Sequence, residues 1–219
     1  MGDHSAVHHA DGEGPGGAAA IPVSDPMEAL PPTAQRILQA ARRLLIEGGF
    51  RRLSLQTIAT AAGESKGSIA YHFGSKEGLI TALVDSLVHD ANRALLVDTA
   101  GIESLEDRLQ VLVDVETRIA ADRDAAMGVL EVLPYAMRDE RLRPRVAALY
   151  AAYRETVLAC LAGTAPLRPE LLTPAALTIA VVDGLSIQLG LEPERTDVRA
   201  CFETFGEMVS LYLRAHAAD

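Results

Sequence analysis

Between Leu53 and Leu79 the chain reads LSLQTIATAAGESKGSIAYHFGSKEGL, and this punctuation leaves it few folds. Ser54, Ser65 and Ser75 each stand before a run of apolar residues at helical spacing, where a hydroxyl accepts from the orphan amides of a first turn. Gly63 and Gly74 close the first two runs, where the chain must turn sharply. Ile58, Ala59 and Ala62 face inward with Ile69 and Phe73, and the alanines let two helices approach closely. The product is a short helix, a glycine turn and a second short helix, the helix-turn-helix arrangement whose second helix enters a major groove. The outward positions on that second helix are Ser65, Lys66, Gly67, Ser68 and His72, with Tyr71 at its edge; none is a large aliphatic residue.

The flanks complete the unit. Order is expected to begin at Thr33 as an N-cap, with Ile37, Leu38, Ala41, Leu44 and Leu45 at helical spacing until Gly48 and Gly49 stop the helix. Phe50 then folds back onto the core. A long helix starts at Lys76 with Leu79, Ile80, Leu83, Val84 and Leu87. Further helices are expected from Ser104, from about Asp124 to Met137 with Pro134 kinking or ending it, and from Arg141 to Leu161. Another follows a Thr173 cap with Pro174 at the first position, and the last spans Asp197 to His216. No strand alternation is visible. The expected class is all-α with about nine helices: a three-helix head over residues 33–78 and a larger helical body over 79–219. Residues 1–32, rich in Gly, Ala, Pro and Asp, are expected to form a disordered tail in which His4, His8 and His9 are solvated.

Net charge is −10, which at first sight excludes a partner as acidic as DNA. The distribution reverses that conclusion. Residues 33–77 carry seven basic and three acidic side chains, the tail carries five acids and no Lys or Arg, and residues 78–219 carry a net −9. A basic module on an acidic body suits a protein with one face toward phosphate. Cys160 and Cys201 have no metal or redox spacing and are expected to be buried free thiols in a reducing cytoplasm. No apolar run was expected to be long enough to span a bilayer, and Met1 to Ala20 lacks the regions of a signal peptide. HExxH, GxSxG and P-loop patterns are missing, which leaves an all-α enzyme a remote alternative with no metal or cofactor expected.

The head resembles the tetracycline-repressor (TetR) family. The resemblance rests on Ser54, Ile58-Ala59, Ala62-Gly63, Ser65 to Ser68, Tyr71-His72-Phe73, Ser75-Lys76-Glu77 and Leu79. It implies a DNA-binding regulator, with residue roles that follow position by position. Lys66 at the helix start can donate to guanine O6 or N7, and Ser68 to a base edge or phosphate. Gly67 lets the backbone approach the duplex, and Ser65 lies at the same edge. Gln56 matches a position that reaches a base; Thr33, Ser54, Tyr71, His72 and Lys76 match positions that grip phosphates. Two departures stand out: Glu64, where the family has an apolar residue and which is expected to face solvent, and Ala70 in place of an aromatic.

The resemblance also implies a homodimer on palindromic double-stranded operator DNA, joined through the last two long helices, about 174–190 and 197–216. Leu185, Ile187, Leu189, Phe202, Phe205, Val209 and Leu213 exceed what one small core face needs. By the same analogy the body encloses a pocket for a small-molecule effector that releases the repressor. Its candidate lining is Leu112, Glu116, Met127, Leu130, Glu131, Tyr135, Tyr150, Tyr153, Arg154, Asp183 and Gln188. A DNA-binding activator, or a regulator controlled by a partner protein, is the alternative.

Overall fold

Each serine cap does what its position implies. The computed structural model describes residues 29–121 and 123–216. Ser54 Oγ accepts from the Thr57 amide while Thr57 Oγ1 accepts from the Ser54 amide, a reciprocal box that opens α2 (Leu55–Ala62). Gly63, at φ +66°, closes α2 in the left-handed region that a side chain disfavours. Ser65 caps α3 (Lys66–Phe73) and Ser75 caps the long α4 (Lys76–Asp98). These elements follow α1 (Pro32–Gly48) and a single 3-10 turn at Phe50–Arg52.

The body comprises α5 (Leu105–Ala121), α6 (Arg123–Ala136), α7 (Arg143–Ala162), α8 (Leu172–Leu191) and α9 (Val198–Ala215). The described residues thus form nine α-helices and no strand, an all-α fold. Helix α5 packs along α9, α4 along α7, and α8 against α6 and α7. The head core gathers Ile37, Leu38, Ile58, Ile69 and Leu79, and it continues into Val132 and Ala136 of α6 and Val146 of α7. A second core, around Leu95, Leu112, Val157, Leu171 and Leu213, fills the body.

Arg108 ties the start of α5 to the end of α7. It is 6% exposed, yet Nε donates to Cys160 O at 2.7 Å, Nη2 to Leu161 O at 3.1 Å, and Nη1 to Ile102 O and Glu103 O. The guanidinium therefore satisfies carbonyls in the last turn of α7, where a helix leaves its acceptors unpaired and its dipole favours a cation.

Several expectations need correction. Helix α1 starts at Pro32 behind Pro31, so Thr33 is not its cap; proline supplies a preset φ and its missing amide costs nothing at a helix start. Leu30 packs against the head core and its carbonyl accepts from Gln35 Nε2 at 2.9 Å, so order reaches back at least that far. The tail over residues 1–28 lies outside the described residues. Pro134 sits inside α6, which runs on to Ala136. Helix α8 begins at Leu172, because a 3-10 turn at Pro169–Leu171 hands directly into it; Thr173 and Pro174 lie within its first turn.

Cys160 is buried, but Cys201 is exposed on α9. The stretch Pro169–Leu191 is, by length and composition, apolar enough to cross a membrane, contrary to the expectation that none would be. Its apolar residues are divided between an inner face packed on α6 and α7 and outward residues such as Leu177 and Leu191. Of the seven residues assigned to a surplus apolar face, Leu185, Phe202, Val209 and Leu213 are buried within the single chain. The exposed large apolar residues of α8 and α9 are Leu172, Leu177, Ile187, Leu191, Met208 and Leu211, of which Ile187 alone belongs to those seven.

Candidate nucleic-acid interface and effector cluster

Helix α3 is anchored by one side. Ile69 is fully buried, while Ser65, Lys66, Gly67, Ala70 and Tyr71 are exposed. Tyr71 keeps 86% of its surface exposed, with the His72 ring edge-on to it at 5.0 Å. Gly67 has a specific meaning here. A Cβ built on it would touch only Ser65 Oγ, at 3.4 Å, so nothing among the described residues requires a glycine. Glycine inside a helix costs about 1 kcal/mol relative to alanine.

The remaining interface candidates have intramolecular partners that set their orientation. Ser65 Oγ accepts from the Ser68 amide at 3.0 Å and lies 3.1 Å from Ser68 Oγ. Ser54 is occupied by its capping box, with Thr57 Oγ1 2.8 Å from its hydroxyl. Gln56 Nε2 donates weakly to Thr60 Oγ1 at 3.4 Å. Lys76 Nζ lies 5.6 Å above the Phe50 ring. Thr33 Oγ1 accepts from Arg36 Nη2 at 3.0 Å.

Glu64 differs from its expected place in solvent. Its side chain is 14% exposed and its Oε1 accepts from Arg36 Nη2 at 2.5 Å. The Arg36 guanidinium holds the Glu64 carboxyl below the usual carboxylate range, with hydrogen bonding from Ser68 adding to it. A partner 28 positions away in the chain leaves no mark on the local pattern around Glu64.

The effector candidates divide into three groups. Glu116, Tyr150, Tyr153 and Asp183 converge between α5, α7 and α8: Tyr153 OH donates to Glu116, and Tyr150 OH donates to Asp183 at 3.1 Å. Leu112 is buried in the core beside them. Burial pushes the Glu116 carboxyl up to about 7, against the Tyr153 bond, and its Oε2 has no hydrogen-bond partner among the described residues. Burial likewise raises Asp183, with the Tyr150 bond opposing it. Glu131 and Tyr135 belong elsewhere, at the junction of body and head. Glu131 Oε2 accepts from the Phe50 amide at 3.1 Å, and the Tyr135 and Phe50 rings stack at 4.0 Å. Gly49 makes this possible: at φ +70° it leaves room for the carboxylate, which a Cβ would meet at 2.8 Å.

The third group is dispersed. Met127 is 40% exposed and its Sδ lies against Gly190; Leu130 is half-buried, and Arg154 and Gln188 are exposed. Gln188 faces an open groove of about 630 Å³ between α8 and α9, alongside Val181, Phe205 and Met208. A second groove, of about 520 Å³, runs between α5 and α9 past Glu106, Val113 and Leu211.

Comparison with known proteins agrees with this division. Residues 37–83 match the tetR family of bacterial regulatory proteins, and residues 105–214, half of the chain, match the C-terminal domain of BetI-type transcriptional repressors. The transcriptional regulator UidR of Escherichia coli K12 is 32% identical over 121 residues, 54% of this chain and 57% of that protein, so the chain spans little more than half the length of that relative. The regulator BetI of Rhizobium meliloti is 27% identical over 190 residues, 85% of this chain and 92% of that protein. Among solved structures, the multidrug binding protein EbrR complexed with imidazole is similar at a TM-score of 0.61 and 25% identity, covering 82% of this chain and 93% of its own.

Proposed function

The chain belongs to the TetR family of bacterial regulatory proteins, and from that membership we propose that it is a repressor that binds a palindromic operator as a homodimer and leaves it when a small molecule occupies the body. It works on double-stranded DNA in the cytoplasm. The observation that carries the DNA interface is the outward side of α3, where Lys66, Gly67 and Tyr71 are exposed and no described residue needs the glycine. Lys66 and Ser68 read base edges with Gln56. Thr33, Tyr71, His72 and Lys76 hold phosphates, and Ser54 and Ser65 orient the helices that carry them.

The exposed apolar residues of α8 and α9 support the homodimer, because a second copy covers Leu177, Leu191, Met208 and Leu211 symmetrically. The Glu116–Tyr153 and Tyr150–Asp183 pairs support an effector site between α5, α7 and α8. Helix α6 packs on α8 at one side and meets Phe50 through Glu131 and Tyr135 at the other. An effector that prefers one arrangement of α6 and α8 therefore shifts the population of head positions, and heads wrongly spaced lose successive major grooves.

Selection of bound duplexes from a random pool, with and without added metabolites, tests the whole proposal. A palindrome that is lost with one metabolite fraction is expected; a pool with no enrichment refutes it. Lys66→Ala costs about 1–3 kcal/mol at one base pair of the site, whereas Lys76→Ala weakens all sequences alike and lowers the salt slope by about 1. Gly67→Ala separates stability from function. It raises stability by about 0.5–1 kcal/mol in urea unfolding while weakening operator binding. A variant that binds as tightly as the parent removes α3 from the duplex.

A further inference from the structure

Glu64 places a carboxylate one residue before the cap of α3, where a duplex would repel it. It is not left alone there. Arg36 reaches from α1 to bond it, the same Nη2 bonds Thr33, and the Ser68 side chain of α3 also hydrogen-bonds the carboxylate. Thr33, Arg36, Glu64 and Ser68 therefore form one polar row that joins the start of α1 to the first turn of α3. Two of its members, Thr33 and Ser68, are interface positions by the proposal above. Arg36 keeps about half of its side chain exposed, and its Nε and Nη1 bond no described residue.

We propose that Arg36 is a phosphate contact of this interface and that Glu64 is the positioning residue that holds it there; this rests on α3 facing DNA. An ion pair whose arginine is half exposed contributes little to stability, so head stability alone is a weak reason for a carboxylate at this place. A fixed guanidinium, in contrast, presents a planar fork matched to phosphate oxygens and loses less freedom on binding than a free arginine. Glu64 consumes one nitrogen of that fork and leaves the rest available. The pair also neutralises the carboxylate, so the duplex meets a donor array instead of a net negative charge.

The test is a sign. Operator affinity of the full chain is measured against salt for the parent, Arg36→Ala, Glu64→Gln, the double variant and Lys66→Ala, with melting temperatures recorded for each. Arg36→Ala is expected to lower the salt slope by about 1 and to weaken all sequences alike. Glu64→Gln is expected to weaken binding on the order of 3- to 10-fold, although it removes a negative charge beside DNA. In the Arg36→Ala background the same Glu64→Gln change is expected to tighten binding, because only the repulsion is then left to remove. Tighter binding by Glu64→Gln alone, or an unchanged slope in Arg36→Ala, overturns the assignment. A Lys66→Ala variant with an unaltered base profile marks failure of the α3 interface itself, and is scored separately. Melting temperatures close to the parent confirm that the affinities report on the interface; a variant that melts early is replaced by Arg36→Lys, which keeps the charge without the fork and is expected to lose affinity with the slope retained.

Discussion

Replacing Glu116 with Gln stabilises the protein by about 3 kcal/mol at pH 8 and changes it little at pH 5. Glu116 is 1% exposed and burial raises its carboxyl to about 7 from an ordinary value of 4.5. A carboxyl raised in the folded state binds its proton more tightly there than in the unfolded chain. Its favourable contribution is whole below pH 4.5 and is lost as pH rises through 7. At about 1.4 kcal/mol per unit, that interval sets the expected gain. Gln keeps an acceptor for the Tyr153 hydroxyl and carries no charge to bury. Asp183, also raised by burial, slopes in the same direction, so the difference between variant and parent isolates Glu116. Urea unfolding at pH 5, 6, 7 and 8 reads it directly. Equal differences at pH 5 and pH 8 would show that Glu116 is ionised or neutral throughout.

Phe50→Ala is expected to cost about 3–5 kcal/mol, the range for emptying a buried aromatic site. The ring is 8% exposed and belongs to the head core, yet it also stacks on Tyr135 of α6 and lies under the Lys76 ammonium. Removing it opens a cavity and disconnects the head from α6 together. Tyr135→Ala, from a side chain 40% exposed, is expected to cost roughly 1 kcal/mol, within the range of a single aromatic pair. Chemical denaturation of both variants ranks them. A Phe50→Ala penalty no larger than that of Tyr135→Ala would mean that the head core closes without the ring.

The head was legible because its signals are local. Ser54, Gly63, Ser65, Gly74 and Ser75 each act within a few residues, and all five sit where capping chemistry puts them. The starts of α1 and α8 were misplaced because Pro31-Pro32 and Pro169 start helical turns without a side-chain cap, and a nearby threonine imitates one. Pairings between distant positions were not legible. Nothing around Glu64 announces Arg36, and nothing around Glu131 announces the Phe50 amide, since each depends on how two helices cross. Glu131 and Tyr135 were therefore grouped with the effector residues, although they meet the head. Helix α8 is apolar on nearly all sides, so its pattern has no preferred face and could not separate core from outer surface. Burial of Leu185 with exposure of Ile187 is a decision of tertiary packing alone.

Arg108 gives the molecule an order of failure in acid. Its four acceptors are main-chain oxygens, which do not titrate. Acidification below the usual carboxylate range protonates Glu64 and breaks its bond to Arg36, while the clasp between α5 and the end of α7 has no acceptor to protonate. Acid below the usual carboxylate range should therefore release the Arg36–Glu64 link between α1 and α3 while this clasp keeps its acceptors.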